Sequence, residues 1–156
     1  MLLEKAWAKL HGSYERIESG YAEHVLRDLT GACTKVFSHD DQDLWENMTD
    51  AYDKGFLIAA SAGATKASKQ LLEEMGLIGF HSYGVLAVTE VDVNGEKERL
   101  IKLRNPWGDF EWTGDWSDQS ANWTPELKMQ LEFSSEANDG TFWMSFIDFC
   151  HYFSRV

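Results

Sequence analysis

Leu3, Ala6, Trp7 and Leu10 recur at helical spacing, so the chain opens inside a short amphipathic helix. A stretch punctuated by Gly and Ser follows from Gly12 to Gly20, then a short segment to Thr30-Gly31. Thr34 to Phe37 reads as a brief strand. Asp40 or Asp41 is placed to cap a helix carrying Leu44, Trp45, Met48, Ala51 and Tyr52 on one side, with Gly55 ending it. Phe56 to Ala60 has the length and composition of a buried strand. Thr65 then caps a helix bearing Leu71, Leu72 and Met75, which Gly76 closes. The clearest unit comes next. His81 to Val93 is strand-like, Asn94-Gly95 is a two-residue hairpin signal, and Arg99 to Leu103 supplies the return strand. Asn105-Pro106-Trp107-Gly108 breaks the ladder, and an acidic, Trp-rich loop runs on to Trp123. Thr124-Pro125 marks a helix start with proline at the first helical position. Asn138-Asp139-Gly140 is a turn, Thr141 to Phe146 a strand, and Ile147 to Phe153 a terminal helix. This order predicts an α+β fold with an antiparallel sheet and flanking helices, free of repeats and linkers.

Composition narrows the possibilities. A chain of 156 residues suits one domain with a sizeable core, and 44% apolar against 26% charged residues is a globular balance. The formal net charge of −12 repels phosphate backbones and argues against nucleic-acid binding, while leaving metal ions that take oxygen ligands open. Cys33 and Cys150 are too few for a disulfide framework, which points to a reducing compartment. Glu4 and Lys5 interrupt any signal-peptide core, and no apolar run approaches the roughly 20 residues of a membrane span. A soluble, cytoplasmic protein is expected. The first helix has no cap of its own, so the natural chain is expected to extend further upstream.

His81 heads its strand, and the hairpin should return the chain to its neighbourhood near Asn105. A histidine moves protons near neutral pH, and a side-chain amide on its second ring nitrogen would set tautomer and ring plane. Taken alone, a strand histidine is more often an ordinary satisfied residue. His11, His24, His39 and His151 show no metal-ligand spacing with one another or with the cysteines, so zinc is not expected.

The run Leu103-Arg104-Asn105-Pro106-Trp107-Gly108, followed by Glu111-Trp112-Thr113-Gly114 and Trp116-Ser117-Asp118, closely resembles the protease core of calpains. His81-Ser82-Tyr83-Gly84-Val85 looks like the calpain histidine strand. Asp139-Gly140-Thr141-Phe142-Trp143-Met144-Ser145-Phe146 and Phe149 look like the closing strand and helix. Leu3-Glu4-Lys5-Ala6-Trp7-Ala8-Lys9-Leu10 and Leu29-Thr30-Gly31 match as well, so the resemblance covers nearly the whole chain. It implies the His/Asn half of a papain-like thiol protease, an antiparallel, barrel-like subdomain at residues 31–156. Residues 1–30 would be the tail of the first subdomain and its connection. By the same resemblance His81 is the general base, Asn105 orients it, and Trp107 shields their hydrogen bond and wedges between subdomains until calcium rearranges the core.

The nucleophile does not carry over. The family's Cys follows a Gln-Gly-x-x-Gly-Asp run that is absent here, and the Gln that would help hold the oxyanion is absent with it. Cys33 and Cys150 both lack a helix N-terminus to lower the thiol pKa, and both read as buried small apolar residues. A second departure is Phe80, where calpains usually carry Gly before the histidine; a ring there either faces the core or narrows the cleft near substrate.

Asp109, Glu111, Asp115 and Asp118 crowd ten residues, and Asp139 lies in a turn further on. They form either a solvated acidic surface or ligands for calcium, which takes roughly six to eight oxygens. The resemblance implies calcium held by Glu111 and Asp118 in one loop and by Asp139 and the Ala137 carbonyl in another. Thr141 stands where the family has a further acidic ligand, so binding should be weak. The expected function is part of a calcium-dependent intracellular cysteine endopeptidase that performs limited proteolysis of proteins. This chain would give base and orienter but no nucleophile, and its partners would be the Cys-bearing subdomain and protein substrates. The alternative is a non-catalytic calpain-like module that binds protein or calcium.

Overall fold

The computed structural model describes residues 2–63, 69–133 and 139–156. The chain divides into two compact units, Met1–Lys35 and Val36–Val156. The first unit holds α1 (Leu2–His11), a 3₁₀ turn (Glu15–Ile17) and α2 (Ala22–Thr30). Ala8 is buried and the Trp7 ring lies tilted against His11, but Leu3 and Leu10 stay exposed on the face the spacing marked as apolar. Gly31 ends α2 in the left-handed region, its N–H donating to the Arg27 carbonyl at 2.8 Å. That geometry suits glycine because no Cβ crowds the carbonyl.

The second unit contains α3 (Leu44–Asp53), β1 (Ile58–Ala62), α4 (Lys69–Glu74), β2 (His81–Val93), β3 (Glu96–Arg104), α5 (Pro125–Gln130), β4 (Thr141–Ser145), α6 (Phe146–Tyr152) and β5 (Phe153–Arg155). The strands form one antiparallel sheet in the order β4-β3-β2-β1-β5. This is the α+β architecture expected from the pattern. The β2–β3 hairpin dominates it. Asn94 and Gly95 both take positive φ, as a two-residue turn of matching twist requires, and the Asp92 carboxylate accepts the Gly95 N–H at 2.8 Å. Alternate side chains then leave the sheet on opposite faces. Ile101, Leu103, Phe142 and Met144 join Leu44, Met48, Phe149 and Phe153 in the larger core, whereas Leu100 and Trp143 join Trp116, Trp123 and Leu127 in a smaller one. At the start of α5 the Thr124 hydroxyl accepts the Leu127 N–H at 3.2 Å, with proline next in line.

Three local expectations change. No strand forms over Thr34–Phe37; Phe37 instead exchanges backbone hydrogen bonds with Val156, and Ser38 makes an isolated bridge to Arg155. The strand expected at Phe56–Ala60 lies two residues later, leaving Phe56 and Leu57 exposed, because the pairing of Ala62 with His81 sets its register. Asp41 does not cap α3 with its side chain; its carboxylate accepts the Ser38 N–H at 2.9 Å and closes the preceding turn. Thr65, read as a helix cap, lies outside the described residues.

Candidate active site

His81 is the first residue of β2, level with Ala62 on β1, and Asn105 follows the last residue of β3. The hairpin register pairs Gly84 with Arg104, so the antiparallel ladder returns the chain past the start of β2. His81 Nε2 lies 2.9 Å from Asn105 Oδ1. Asn105 is fully buried, and its surroundings decide which way the amide points. Its Nδ2 donates to the Asp109 carbonyl at 2.6 Å, and Oδ1 accepts the Trp107 N–H at 3.1 Å. An amide turned the other way would set two donors face to face and two acceptors face to face. Oδ1 therefore faces the imidazole, and since it only accepts, Nε2 carries the ring proton. That leaves Nδ1 as the free lone pair, the state a general base needs.

Two rings and two loops hold this pair. Trp107, though 63% exposed, lies against His81 with ring centroids 4.6 Å apart and covers part of the imidazole. Tyr83 meets the same ring edge-on at 5.1 Å, buried in the core with its hydroxyl accepting the Ile78 N–H at 2.9 Å. Tyr83 escaped the sequence reading; its position two residues after His81, on the same face of a strand, was the available signal. The main chain of Asn105 donates to the Gly140 carbonyl at 2.7 Å and accepts from Gly108 at 3.0 Å. Gly140 is a tight fit: a Cβ there would stand 2.7 Å from the Gly108 Cα and 2.9 Å from the Asn105 carbonyl oxygen.

Gly140 also reaches the acidic loop, its N–H donating to the Glu111 carboxylate at 2.8 Å. Asp139 accepts the Thr141 N–H at 2.6 Å. Asp118 is different. Its Oδ2 is buried with no hydrogen-bond partner, and burial, then the charges of Glu111 and Asp139, push its pKa up to about 6. The three carboxylates thus feel one another, yet among the described residues no three His, Cys, Asp or Glu side chains converge into a ready metal cage. Ala137 lies outside the described residues.

Neither cysteine is an activated thiol by position. Cys33, expected to be buried, is instead exposed in irregular chain just beyond the C-terminus of α2. Cys150 packs against the larger core from α6, and burial pushes its pKa up to about 11.

The His81–Asn105 contact and the Asn-Pro-Trp run lie within the residues, 1–156, that the family pattern described as "Calpain family cysteine protease" matches. The chain belongs to the calpain family. Calpain-8 of Mus musculus is 40% identical over 161 aligned positions, covering 99% of this chain and 23% of that protein. The calpain-2 catalytic subunit of Gallus gallus is 37% identical, again over 99% of this chain and 23% of the relative. The calpain-type cysteine protease ADL1 of Oryza sativa subsp. japonica is also 37% identical, with 7% of its length covered. The chain therefore spans less than a quarter of the length of each of these three relatives. Among its described residues no helix is long and apolar enough to cross a membrane.

Proposed function

We propose that this chain supplies the base-and-orienter half of a calcium-regulated, calpain-type cysteine endopeptidase acting on proteins in the cytoplasm. The observation that carries the reading is the 2.9 Å contact from His81 Nε2 to Asn105 Oδ1, with Nδ1 left free. Nδ1 would take the proton of a cysteine thiol as sulfur attacks the peptide carbonyl, and Nε2–H would hold the resulting imidazolium on Asn105. The same proton then passes to the leaving amine, and the acyl–sulfur bond is hydrolysed by water. Trp107 limits water access to the His–Asn bond.

In this proposal the nucleophile is a cysteine outside these residues, because Cys33 and Cys150 lack the surroundings of an activated thiol. Residues 1–30 would belong to the first, cysteine-bearing subdomain and its connection, and 31–156 to the second. The partners are then the cysteine-bearing half and protein substrates. Calcium would be held by Glu111, Asp118 and Asp139 with the Ala137 carbonyl. The unpartnered Asp118 oxygen supports that assignment, while Thr141 in place of a carboxylate weakens it. A bound divalent ion would neutralise the crowded carboxylates and brace two loops that border Asn105. The missing nucleophile equally favours a second reading, a non-catalytic calpain-like module.

The discriminating experiment measures hydrolysis of a fluorogenic peptide. The purified chain should give none, with or without calcium. Mixed with the cysteine-bearing half of a calpain, it should give calcium-stimulated turnover that His81→Ala lowers by roughly 10²–10⁴-fold. Thiol-blockable turnover by the chain alone would place the nucleophile at Cys33 or Cys150. Turnover in the mixture that is indifferent to His81→Ala would overturn the catalytic assignment.

A further inference from the structure

The residue before His81 satisfies none of the usual demands on a phenylalanine. Phe80 is 83% exposed, and its φ of +56° lies in the left-handed region that side-chain-bearing residues avoid. Neighbours impose that backbone. The Phe80 N–H donates to the Ala62 carbonyl at 2.8 Å at the end of the β1–β2 ladder. Gly63, itself at φ +103°, passes so close that a Cβ on it would stand 3.0 Å from the Phe80 nitrogen and 3.8 Å from the ring. Glycine would suit position 80 better, and a polar residue would suit its exposure better. A large apolar ring held in strained backbone, in water, beside a candidate base points to function rather than folding.

We propose that Phe80 is a specificity-determining residue. Its ring forms an apolar wall beside His81 against which a large aliphatic or aromatic side chain of the peptide substrate packs, close to the scissile bond. The contact would cover ring area that the fold leaves in water, so it selects apolar over small or acidic side chains. This deepens the protease reading and rests on His81 acting as its base.

The test uses the full product of the gene, complemented in trans by a calpain's cysteine-bearing half where the product lacks a nucleophile. Peptides varied one residue at a time across three positions on each side of the cleaved bond are compared by kcat/KM. The native protein should prefer Leu or Phe over Gly or Asp at one of these positions. Phe80→Gly should reduce that preference about tenfold, with kcat on the smallest peptide changed less than about threefold. Phe80→Leu should keep the preference for aliphatic side chains, and Met129→Ala, equally exposed on α5, should change nothing. The thermal midpoint of Phe80→Gly should match or exceed that of the native protein, since glycine relaxes the backbone. An unchanged preference in an active Phe80→Gly variant overturns this inference and leaves the protease reading standing. A lowered midpoint would make the ring a structural prop and overturn it too. Absence of His81-dependent turnover in every variant overturns the protease reading and the inference together.

Discussion

The two halves of the site are built on opposite principles, although Gly140 touches both. Around His81 and Asn105 the polar atoms are matched: the Asn105 amide uses its oxygen and nitrogen, and its main chain uses both of its groups. Around Asp118 the balance fails, with a buried carboxylate oxygen unpartnered and two more carboxylates within electrostatic reach. A fully satisfied network is rigid and holds one geometry, which suits a base and its orienter. A site of unrelieved like charge is costly alone and gains stability from anything positive that enters it. One region pairs its polar groups within the fold; the other leaves a buried carboxylate oxygen without a partner.

Gly140 is where the comparison breaks most sharply. Gly140→Ala should be the largest effect, about 3 kcal/mol of lost stability. That figure combines left-handed strain at φ +79° with overpacking against Gly108 and Asn105. Chemical denaturation measures it; a loss below about 1 kcal/mol would show that the two loops yield easily and that Gly140 couples nothing.

Asn105→Ala comes next. It strands the Asp109 carbonyl and the Trp107 N–H and releases the His81 ring, at a cost of about 2 kcal/mol. Complemented turnover should fall far more steeply than stability, by about 100-fold, as expected of a residue that positions the base. A parallel, small loss of both would assign Asn105 a purely structural role.

Asp118→Asn has the smallest effect and the opposite sign. A carboxyl with its pKa raised from 3.8 to about 6 binds its proton more tightly in the folded state than in the unfolded chain. Native stability therefore falls as pH rises from about 4 through about 6 and stays low above that. Without calcium, the variant should melt higher than the native chain at pH 8 and lose that advantage near pH 4. With millimolar-range calcium the order should invert at pH 8, because only the native carboxylate gains from the ion. Identical calcium responses in the two proteins would exclude Asp118 as a ligand.

Much of this molecule is written in short-range pattern. The strand-like run from His81 to Val93 with Asn94-Gly95 behind it announces the hairpin, although a bulge between Val85 and Ala87 changes which side chains face the larger core, from Tyr83 and Val85 to Val88. Thr124-Pro125 likewise announces its helix by capping chemistry alone. The Asn-Pro-Trp run carries the family, and the hairpin carries Asn105 back to His81, so the contact between these two side chains was legible. The exceptions share one cause: their partners lie far along the chain. Phe37 pairs with Val156 and not with a neighbour, and β5 is only Phe153–Arg155, too short for any periodicity. The strand read at Phe56 shifted because its register answers to His81 across β1 and β2.

What the sequence by itself determined, then, is the hairpin, the calpain family and the identity of the histidine and asparagine. Tertiary structure alone decided which way the Asn105 amide points, that Tyr83 props the imidazole, that Phe80 faces water, and that Asp118 is buried without a partner. The physical reason is range. Turn chemistry and side-chain alternation act between residues a few positions apart and can be read along the chain. Burial, amide orientation and the field at a carboxylate are sums over groups that only folding brings together.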